Sequence, residues 1–363
     1  MKKIISTLFM ATLIICGCHN SANQTSDANG QADSLQVDEP KTDKVVDAAV
    51  SEAKDIVIKE KSNWHNGCEF YSVRKDGDVL AFTGGTLHEG GYCFGLKPKG
   101  DGKYEIVPVA WNDDPELKAD PQIATSEFNK EDLPQLVAEA KNIAGTDCII
   151  IRHKKDGVIS VFLSMDKELD GLYEAEVRAM AQRIAGNYQD KDGKVYAFNP
   201  DMTYVFDGKN GKYKFEESYD CPDFIVTLAD GQHFIAEGDE EGLTLTPSAF
   251  EEESGAWNKT NGKPLRLTLV PETSSDWRYP FASERLLTFG DVALFSKKEL
   301  RVMRNEIWAR HGYNFKSEDL KKRFAKVKAY KPIDDNNNVK LSDIEAINSE
   351  LILHQEKVSD NEE

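Results

Sequence analysis

The sequence predicts a multidomain α+β protein, and three stretches of the chain carry that prediction. Residues 41–185 mix strand-like alternation with helical periodicity, which is typical of an α+β domain. Residues 186–272 hold short strands between glycine turns, which predicts a small antiparallel β-meander of barrel-like form. Residues 275–358 hold three helix starts in succession, which predicts a small helical module. At 363 residues the chain is long enough for several domains with cores of their own.

The N-terminus has the pattern of an export signal. Lys2 and Lys3 precede an apolar stretch, residues 4–15, that is shorter than the roughly 20 residues needed to span a bilayer. Such a stretch is typical of the apolar region of a signal peptide. We therefore expect residues 1–17 to be a signal peptide, and the chain to be exported.

The sequence ICGC at residues 15–18 resembles the bacterial lipobox. In that family a diacylglyceryl group is attached to the cysteine, and a dedicated peptidase cleaves before it. The resemblance implies that Cys18 is lipidated and that Gly17 is the last residue removed. Cys16 fits less well, because Ile15 before it is bulky. The alternative is an ordinary secretory peptide with incidental cysteines. Several acyl chains hold a protein firmly on a membrane, where one chain gives only marginal binding.

Residues 18–40 read as a lipidated cysteine followed by a flexible tether, because they contain almost nothing apolar. Acidic residues just after the lipidated cysteine resemble retention or surface-export signals of some Gram-negative lipoproteins. No such cluster follows Cys18, and by that resemblance we expect the periplasmic side of the outer membrane. We thus expect a cell-envelope protein whose first partner is the membrane, through the lipid anchor.

The charge of the chain excludes one class of partner. It has 63 acidic and 45 basic residues, for a formal net charge of −18. Such a surface repels nucleic acid, so no nucleic-acid partner is expected. The same charge also keeps a protein soluble, and that is the simpler interpretation.

The α+β prediction rests on three helices and two hairpins. Helices are predicted over residues 41–60, 130–144 and 168–185 from apolar residues at helical spacing. The hairpins are predicted at the turns 75–78 and 155–157, each of which contains Asp-Gly. The apolar positions that support the first two helices are Val46, Val50, Ala53 and Val57, and then Leu133, Leu136, Val137, Ala140 and Ile143.

The β-rich stretch predicts seven strands, and its start resembles a lipocalin-type meander loosely. The resemblance is carried by AGNY at residues 185–188 and DMTYVF at residues 201–206, and it implies no ligand. A barrel this small is either filled by its own side chains or holds one small ligand. The predicted strands are 195–198, 203–206, 212–216, 224–228, 233–237, 243–246 and 265–269.

Four cysteines follow the lipobox: Cys68, Cys93, Cys148 and Cys221. An oxidising compartment would permit up to two disulfides, with three connectivities. Buried thiols are an equal alternative, because cysteine is a common core residue.

The C-terminal module has the clearest local signals in the chain. Ser296 with Glu299, and Ser342 with Glu345, have the spacing of capping boxes at helix starts. Ser317 is a further helix cap, and Gly312 suits the left-handed position that ends a helix. Three short helices are expected to pack into one bundle.

The sequence RNEIWARHGYNF at residues 304–315 resembles the motif that gives the YARHG domain its name. This domain is a module of extracellular bacterial proteins. Tryptophan replaces the first letter of the motif here. The resemblance extends to SERLLT at residues 283–288 and to NVKLSDIE at residues 338–345. It identifies a domain and implies no activity.

Five residues of the motif are the candidate binding residues: Trp308, Arg310, His311, Tyr313 and Phe315. As a site they would form an aromatic and basic patch for a glycan or an anionic peptide. As structural residues, the two cations would stabilise the C-terminus of a helix and the aromatic rings would pack in the core.

The sequence contains none of the common catalytic motifs. His65 precedes Cys68 and His88 precedes Cys93, but proximity in sequence does not make a nucleophile and its base. No metal, cofactor or catalytic residue is predicted, and the acidic runs at 239–241 and 251–253 lack calcium-loop spacing. We therefore expect a non-enzymatic envelope lipoprotein that binds peptidoglycan or an envelope protein. The alternatives are an envelope hydrolase with its site in 41–185, and a small-ligand carrier built on the β domain.

Overall fold

The structure is a computed structural model, and it describes residues 53–85, 90–109, 128, 131–165, 168–216, 224–239, 241–270 and 277–358. The predicted signal peptide 1–17, Cys18 and the predicted tether to residue 40 lie outside the described residues, as do His88 and Cys221. None of the helices in the described part of the chain is both long and apolar enough to cross a membrane.

The first nine strands form one antiparallel sheet that closes on itself through the pairing of β7 with β8. The strand order is β1-β7-β6-β5-β4-β3-β2-β9-β8. The strands are β1 Lys54–Asp55, β2 Asn63–His65, β3 Phe70–Asp76, β4 Val79–Gly85, β5 Gly90–Gly100, β6 Lys103–Val107, β7 Leu136–Ile143, β8 Thr146–His153 and β9 Gly157–Met165. Both hairpins predicted from Asp-Gly turns are confirmed, as β3–β4 and β8–β9.

The helix predicted over residues 130–144 is wrong, because this segment is a short 3-10 turn, Leu133–Gln135, followed by strand β7. Leu136, Ala138 and Ala140 alternate into the interior of the sheet, while Ile143 is buried on its outer side. The apolar residues of this segment fit both the spacing of a helix and the alternation of a strand. Pairing with β8 over the whole length of β7 decides between the two.

The helix predicted over residues 41–60 is also wrong in the part that the structure describes. Lys54 and Asp55 form strand β1 beside Asn142 and Lys141 of β7, and Val57 is 80% exposed. Residues 41–52 lie outside the described residues. In the α+β domain expected at 41–185, the strands therefore form a closed sheet that packs around its own apolar interior, and of the three predicted helices only the one at 168–185 is present within the described residues.

A second closed antiparallel sheet follows, and it confirms the meander predicted for residues 186–272. Pairing of β15 with β16 closes it, in the order β15-β14-β13-β12-β11-β10-β18-β16-β17. Strands β10 and β17 were not among the seven predicted. The strands are β10 Gly186–Gln189, β11 Val195–Phe198, β12 Thr203–Phe206, β13 Lys209–Glu216, β14 Phe224–Leu228, β15 His233–Gly238, β16 Gly242–Glu251, β17 Ala256–Lys259 and β18 Leu265–Leu269.

The interior of the second sheet is filled by its own side chains. Six of them are aromatic rings that contact one another edge to face or at a tilt, a preferred packing for aromatic pairs. The rings in these contacts are Tyr196, Phe198, Phe206, Tyr213, Phe215 and Phe234. Ala181 and Ile184 of the preceding helix belong to the same cluster, so that helix contributes to the core of this sheet.

Six α-helices lie within the described residues: α1 Glu168–Ile184, α2 Phe281–Glu284, α3 Phe289–Val292, α4 Lys297–Arg310, α5 Glu318–Phe324 and α6 Asp343–Val358. The prediction of α1 is confirmed. The other five form the C-terminal module, which shares one apolar cluster with the outer face of the first sheet. The strand residues in that cluster are Ile143, Cys148, Ile150, Val158 and Val161.

A polar contact fixes the module on the first sheet at the β8–β9 turn. Glu350 of α6 pairs with Arg152 and accepts a hydrogen bond from the Val158 N–H at 3.0 Å. Gly157 in this turn has a φ of +80°, and a Cβ atom there would lie 2.9 Å from Glu350 Oε2. Glycine at this turn therefore lets α6 approach the sheet closely.

No disulfide joins the three cysteines within the described residues. Cys148 is buried between the first sheet and the C-terminal module, and burial raises the pKa of its thiol to about 12. Cys93 is also buried, with its Sγ 3.4 Å from the Val109 carbonyl oxygen. Cys148 is therefore a buried free thiol, which is the second of the two alternatives.

Candidate functional site: the C-terminal helical module

Helix α4, which carries the motif, begins as the sequence predicts. Ser296 Oγ accepts a hydrogen bond from the Glu299 N–H, and a Glu299 carboxylate oxygen accepts one from the Ser296 N–H at 3.0 Å. The same reciprocal pair joins Ser342 and Glu345 at the start of α6. Both capping boxes are confirmed. Ser317 precedes α5 without a side-chain capping bond.

Helix α4 ends at the motif glycine. Gly312 has a φ of +78°, and a Cβ atom there would lie 2.6 Å from the Lys331 carbonyl oxygen. The Gly312 carbonyl accepts a hydrogen bond from the Ile333 N–H at 2.8 Å. Glycine is therefore required both by the left-handed backbone and by the segment that packs against the turn.

The aromatic candidates are mainly core residues. Trp308 is 5% exposed, and its Nε1–H lies 3.2 Å from Ser349 Oγ on α6. Phe315 is 1% exposed and stacks on Phe324 with ring centroids 5.2 Å apart. Tyr313 is half-buried between them, with its ring 5.6 Å from Trp308 and 5.1 Å from Phe315.

The two cationic candidates are each engaged within the module. Arg310 is half-buried, and its guanidinium lies 5.7 Å from the centroid of the Trp277 ring. His311 Nε2 lies 2.8 and 2.9 Å from the two carboxylate oxygens of Glu345. Burial opposes the charge of Glu345, but hydrogen bonds from His311 and Ser342 keep its pKa below the usual value of 4.5. The structure thus gathers the five residues around one helix end, with their exposed surface on Arg310, His311 and Tyr313.

Residues 278–357 match the YARHG domain.

The matched stretch covers the five C-terminal helices and the residues that join them. No curated protein matches the chain, and no solved structure does. The two closed sheets therefore have no counterpart in the comparisons, and the YARHG domain is the one part of the chain that they identify.

Two charged residues of the YARHG motif, which the sequence did not mark as buried, make polar contacts inside the domain. Arg304 is 2% exposed and pairs with Glu356 of α6, with Nε 2.9 Å from Oε2. Glu306 is 3% exposed and accepts hydrogen bonds from the Arg278 and Tyr279 N–H groups at 2.9 and 2.6 Å. Burial raises the pKa of Glu306 to about 7, although these bonds and nearby arginines oppose the rise. The motif thus ties three segments of the domain together.

A second buried ion pair joins the YARHG domain to helix α1. Arg183, 7% exposed, places Nη1 2.8 Å from Oε1 of the fully buried Glu299. The same guanidinium donates to the Gly238 carbonyl of β15 and lies 5.1 Å from the Phe295 ring centroid. One arginine therefore contacts the second sheet and the YARHG domain at once.

The first sheet meets the YARHG domain at His65. The Gly290 N–H donates to the Asn66 carbonyl at 3.0 Å, and a Cβ atom on Gly67 would lie 2.4 Å from Thr288 Oγ1. His65 is 6% exposed, and its Nδ1 has no hydrogen-bond partner among the described residues. Burial, reinforced by the positive charge of Arg178, lowers its pKa to about 4. This histidine is therefore neutral at neutral pH.

The surface of the YARHG domain carries a basic segment, residues 316–331. It contains seven lysines and arginines against two acids, a net charge of +5 in a chain whose net charge is −18. Its six lysines are exposed. Lys322, Lys326 and Lys331 form no ion pair within the described residues. Because the Lys331 carbonyl lies against Gly312, the basic segment adjoins the motif turn.

Proposed function

We propose that this chain is a non-enzymatic, lipid-anchored protein of the cell envelope that binds an anionic envelope polymer through its YARHG domain. The basic segment 316–331 carries this proposal, because it concentrates exposed cations on an otherwise acidic protein. Such a patch attracts an anionic surface at long range. Near an anionic lipid surface each lysine contributes about 1 kcal/mol, and we expect a contribution of the same order at an anionic polymer.

The ligand proposed is peptidoglycan, whose peptide carboxylates supply the negative charge. Lipid on Cys18 would hold the protein at the membrane, on the periplasmic face of the outer membrane, and residues 19–40 would bridge to the folded body. Arg310 and His311 stand at the edge of the proposed surface, since Gly312 beside them contacts Lys331. The remainder of the chain is acidic, so the wall and nucleic acid would repel it.

Two observations support binding at a surface over the enzyme and carrier alternatives. The second sheet is filled by rings such as Tyr196 and Phe206, which occupy the space that a small ligand would need. His65 is buried at a junction, and the nearby Asp291 is already held by Arg285 at 2.6 and 2.9 Å. A general base must reach a proton of the substrate, and neither His65 nor Asp291 is placed to do so.

The wall ligand is tested by co-sedimentation of the soluble body, residues 19–363, with purified peptidoglycan sacculi. The isolated YARHG domain is unsuitable, because its apolar cluster is shared with the first sheet. We expect the triple variant Lys322→Glu/Lys326→Glu/Lys331→Glu to bind at least about tenfold more weakly, since three attractive charges become repulsive. Binding of the parent protein is expected to fall as salt is raised.

The matched control is Lys75→Glu/Lys155→Glu/Lys263→Glu, which makes the same charge change at exposed lysines of the two sheets. It is expected to bind nearly as the parent does. If both triple variants lost binding equally, net charge and not the basic segment would account for binding to the sacculi. A parent protein that stays in the supernatant would exclude peptidoglycan as the ligand.

The anchor is tested by fractionation of cells that express the full chain. The wild-type protein is expected in the membrane fraction, with an acylated N-terminal cysteine in its mass spectrum. Cys18→Ala is expected to abolish acylation and cleavage, whereas Cys16→Ala should retain both. Loss of acylation in Cys16→Ala alone, or an unacylated wild-type protein, would contradict the assignment of Cys18.

A further inference from the structure

Strand β16 extends beyond the second closed sheet and forms a two-stranded ribbon with β17. Residues 248–251 pair with residues 256–259 and with no other described strand. We call residues 248–259 the ribbon. Nothing in the closure of the sheet requires this extension, because the pairings that close it end at Pro247.

The ribbon and His233 of β15 carry a row of three aromatic rings, of which Phe250 is exposed while Trp257 and His233 are half-buried. Phe250 is 51% exposed and lies directly across the ribbon from Trp257. Their ring centroids are 5.5 Å apart, and the Trp257 ring lies 4.8 Å from that of His233. The ring planes are inclined to each other by 49° for His233 and Trp257 and by 59° for Phe250 and Trp257. Single exposed apolar residues are common, whereas neighbouring rings that all reach solvent are typical of an interaction surface.

Hydrogen bonds fix which nitrogen of His233 faces outward. Thr227 Oγ1 lies 2.7 Å from Glu216 Oε1 and 2.8 Å from His233 Nδ1. Burial opposes the charge of Glu216, but hydrogen bonds from Lys214 and Thr227 hold its pKa below 4.5. The ionised carboxylate takes the only hydroxyl proton of Thr227, so Nδ1–H of His233 must be the donor to Thr227. In the neutral imidazole, Nε2 is then a hydrogen-bond acceptor with no partner in the described part of the chain.

A buried hydroxyl lies on the same face. Ser248 is two residues before Phe250 on β16, so both side chains leave the ribbon on one side. Ser248 is 8% exposed, and its Oγ has no hydrogen-bond partner within the described residues. A buried polar group without a partner is costly, so this face is incomplete as a purely internal surface.

We propose that the aromatic row of His233, Trp257 and Phe250 binds a neutral glycan, with a sugar ring stacked on Trp257. The apolar faces of sugar rings pack on aromatic rings, while their hydroxyls supply the donor that Nε2 of His233 needs and a partner for Ser248. The adjoining turn contains Glu251, Glu252 and Glu253, all exposed, and it disfavours an anionic ligand. The site is independent of the basic segment and of the proposed wall binding.

The probes are the uncharged oligosaccharides N-acetylchitotetraose and cellotetraose, titrated into residues 19–363 by calorimetry. At least one is expected to bind. We expect Trp257→Ala to weaken that binding at least about tenfold and Phe250→Ala to weaken it several-fold. Ser248→Ala is expected to weaken binding without lowering the thermal midpoint. The matched control is Tyr173→Ala, which removes a ring that is 43% exposed on α1 and is expected to leave binding unchanged.

Failure of both probes to bind would overturn the proposal. So would binding that persists in Trp257→Ala and Phe250→Ala, or that falls equally in Tyr173→Ala. Concentration-dependent dimerisation of the parent that Phe250→Ala abolishes would assign the row to contact between copies of this chain, and would also overturn it. Circular dichroism of each variant shows whether the second sheet is retained. The Lys322→Glu/Lys326→Glu/Lys331→Glu variant should bind the oligosaccharide normally, which separates this site from the wall-binding surface.

Discussion

Replacing Arg304 by alanine is expected to lower the free energy of unfolding by about 3–5 kcal/mol, as for loss of one partner of a buried ion pair. Arg304 is 2% exposed, and its Nε and Nη2 lie 2.9 and 3.4 Å from the carboxylate oxygens of Glu356. The variant would leave the buried Glu356 without this partner and would remove the ion pair that joins α4 to α6. Urea denaturation of residues 19–363, followed by circular dichroism, measures the effect.

The matched control lies on the same helix. Arg301 pairs with Asp319 at 2.6 Å, but these side chains are 31% and 62% exposed. Arg301→Ala is therefore expected to cost about 0–1 kcal/mol. The double variant Arg304→Met/Glu356→Leu is expected to recover most of the loss, because it removes both charges and keeps the volume. If Arg304→Ala cost no more than Arg301→Ala, the buried pair would not hold the YARHG domain together.

The parts of the fold that could be predicted are those with local chemical signals. The capping boxes at Ser296 and Ser342 each satisfy backbone groups three residues away, so their spacing is visible in the sequence. The Asp-Gly turns likewise predicted hairpins, since glycine adopts the left-handed conformation found at Gly77 and Gly157. These signals act within a few residues and do not depend on the rest of the fold.

The parts that could not be predicted depend on distant partners. Strand β7 fits helical spacing equally well, and pairing with β8 and β6 decides its structure. Arg183 and Glu299 are 116 residues apart in the chain, and no local pattern marks either as buried. Closure of each sheet is equally non-local, so the sequence indicated strands at 41–185 without indicating that they close.

The candidate site shows the same division. The motif located the end of α4, but it did not tell which of its side chains reach solvent. Trp308 and Phe315 are enclosed by residues of α5 and α6 that come later in the chain. The basic segment was not singled out from the sequence, although seven of its sixteen residues are lysine or arginine and this composition could have marked it. Composition could not have marked the aromatic row, because Phe250 and His233 meet through Trp257 only when the ribbon folds.

Trp308→Ala is expected to lower the free energy of unfolding by about 3–5 kcal/mol, because it empties a large buried volume. The ring is 5% exposed, and its Nε1–H lies 3.2 Å from Ser349 Oγ, which the variant would leave without that partner. Urea denaturation again measures the effect. A binding residue on an open surface would instead cost little stability when truncated.

Trp308→Tyr is the informative control, because it restores the tyrosine that the motif is named for. It retains a large ring with a hydroxyl, so we expect a loss of less than about 2 kcal/mol. The comparison separates two roles for the motif. Suppose that Trp308→Ala is as stable as the parent protein yet fails to sediment with sacculi. The Trp308 ring would then contact the ligand, and its assignment to the core would be wrong. If Trp308→Ala is strongly destabilised and Trp308→Tyr both folds and sediments, the aromatic letter of the motif serves the packing of α4 on α6. Binding of the wall would then depend on the cations near Trp308, which are Arg310 and the lysines of the basic segment. Substitution of the aromatic residue leaves these cations unchanged.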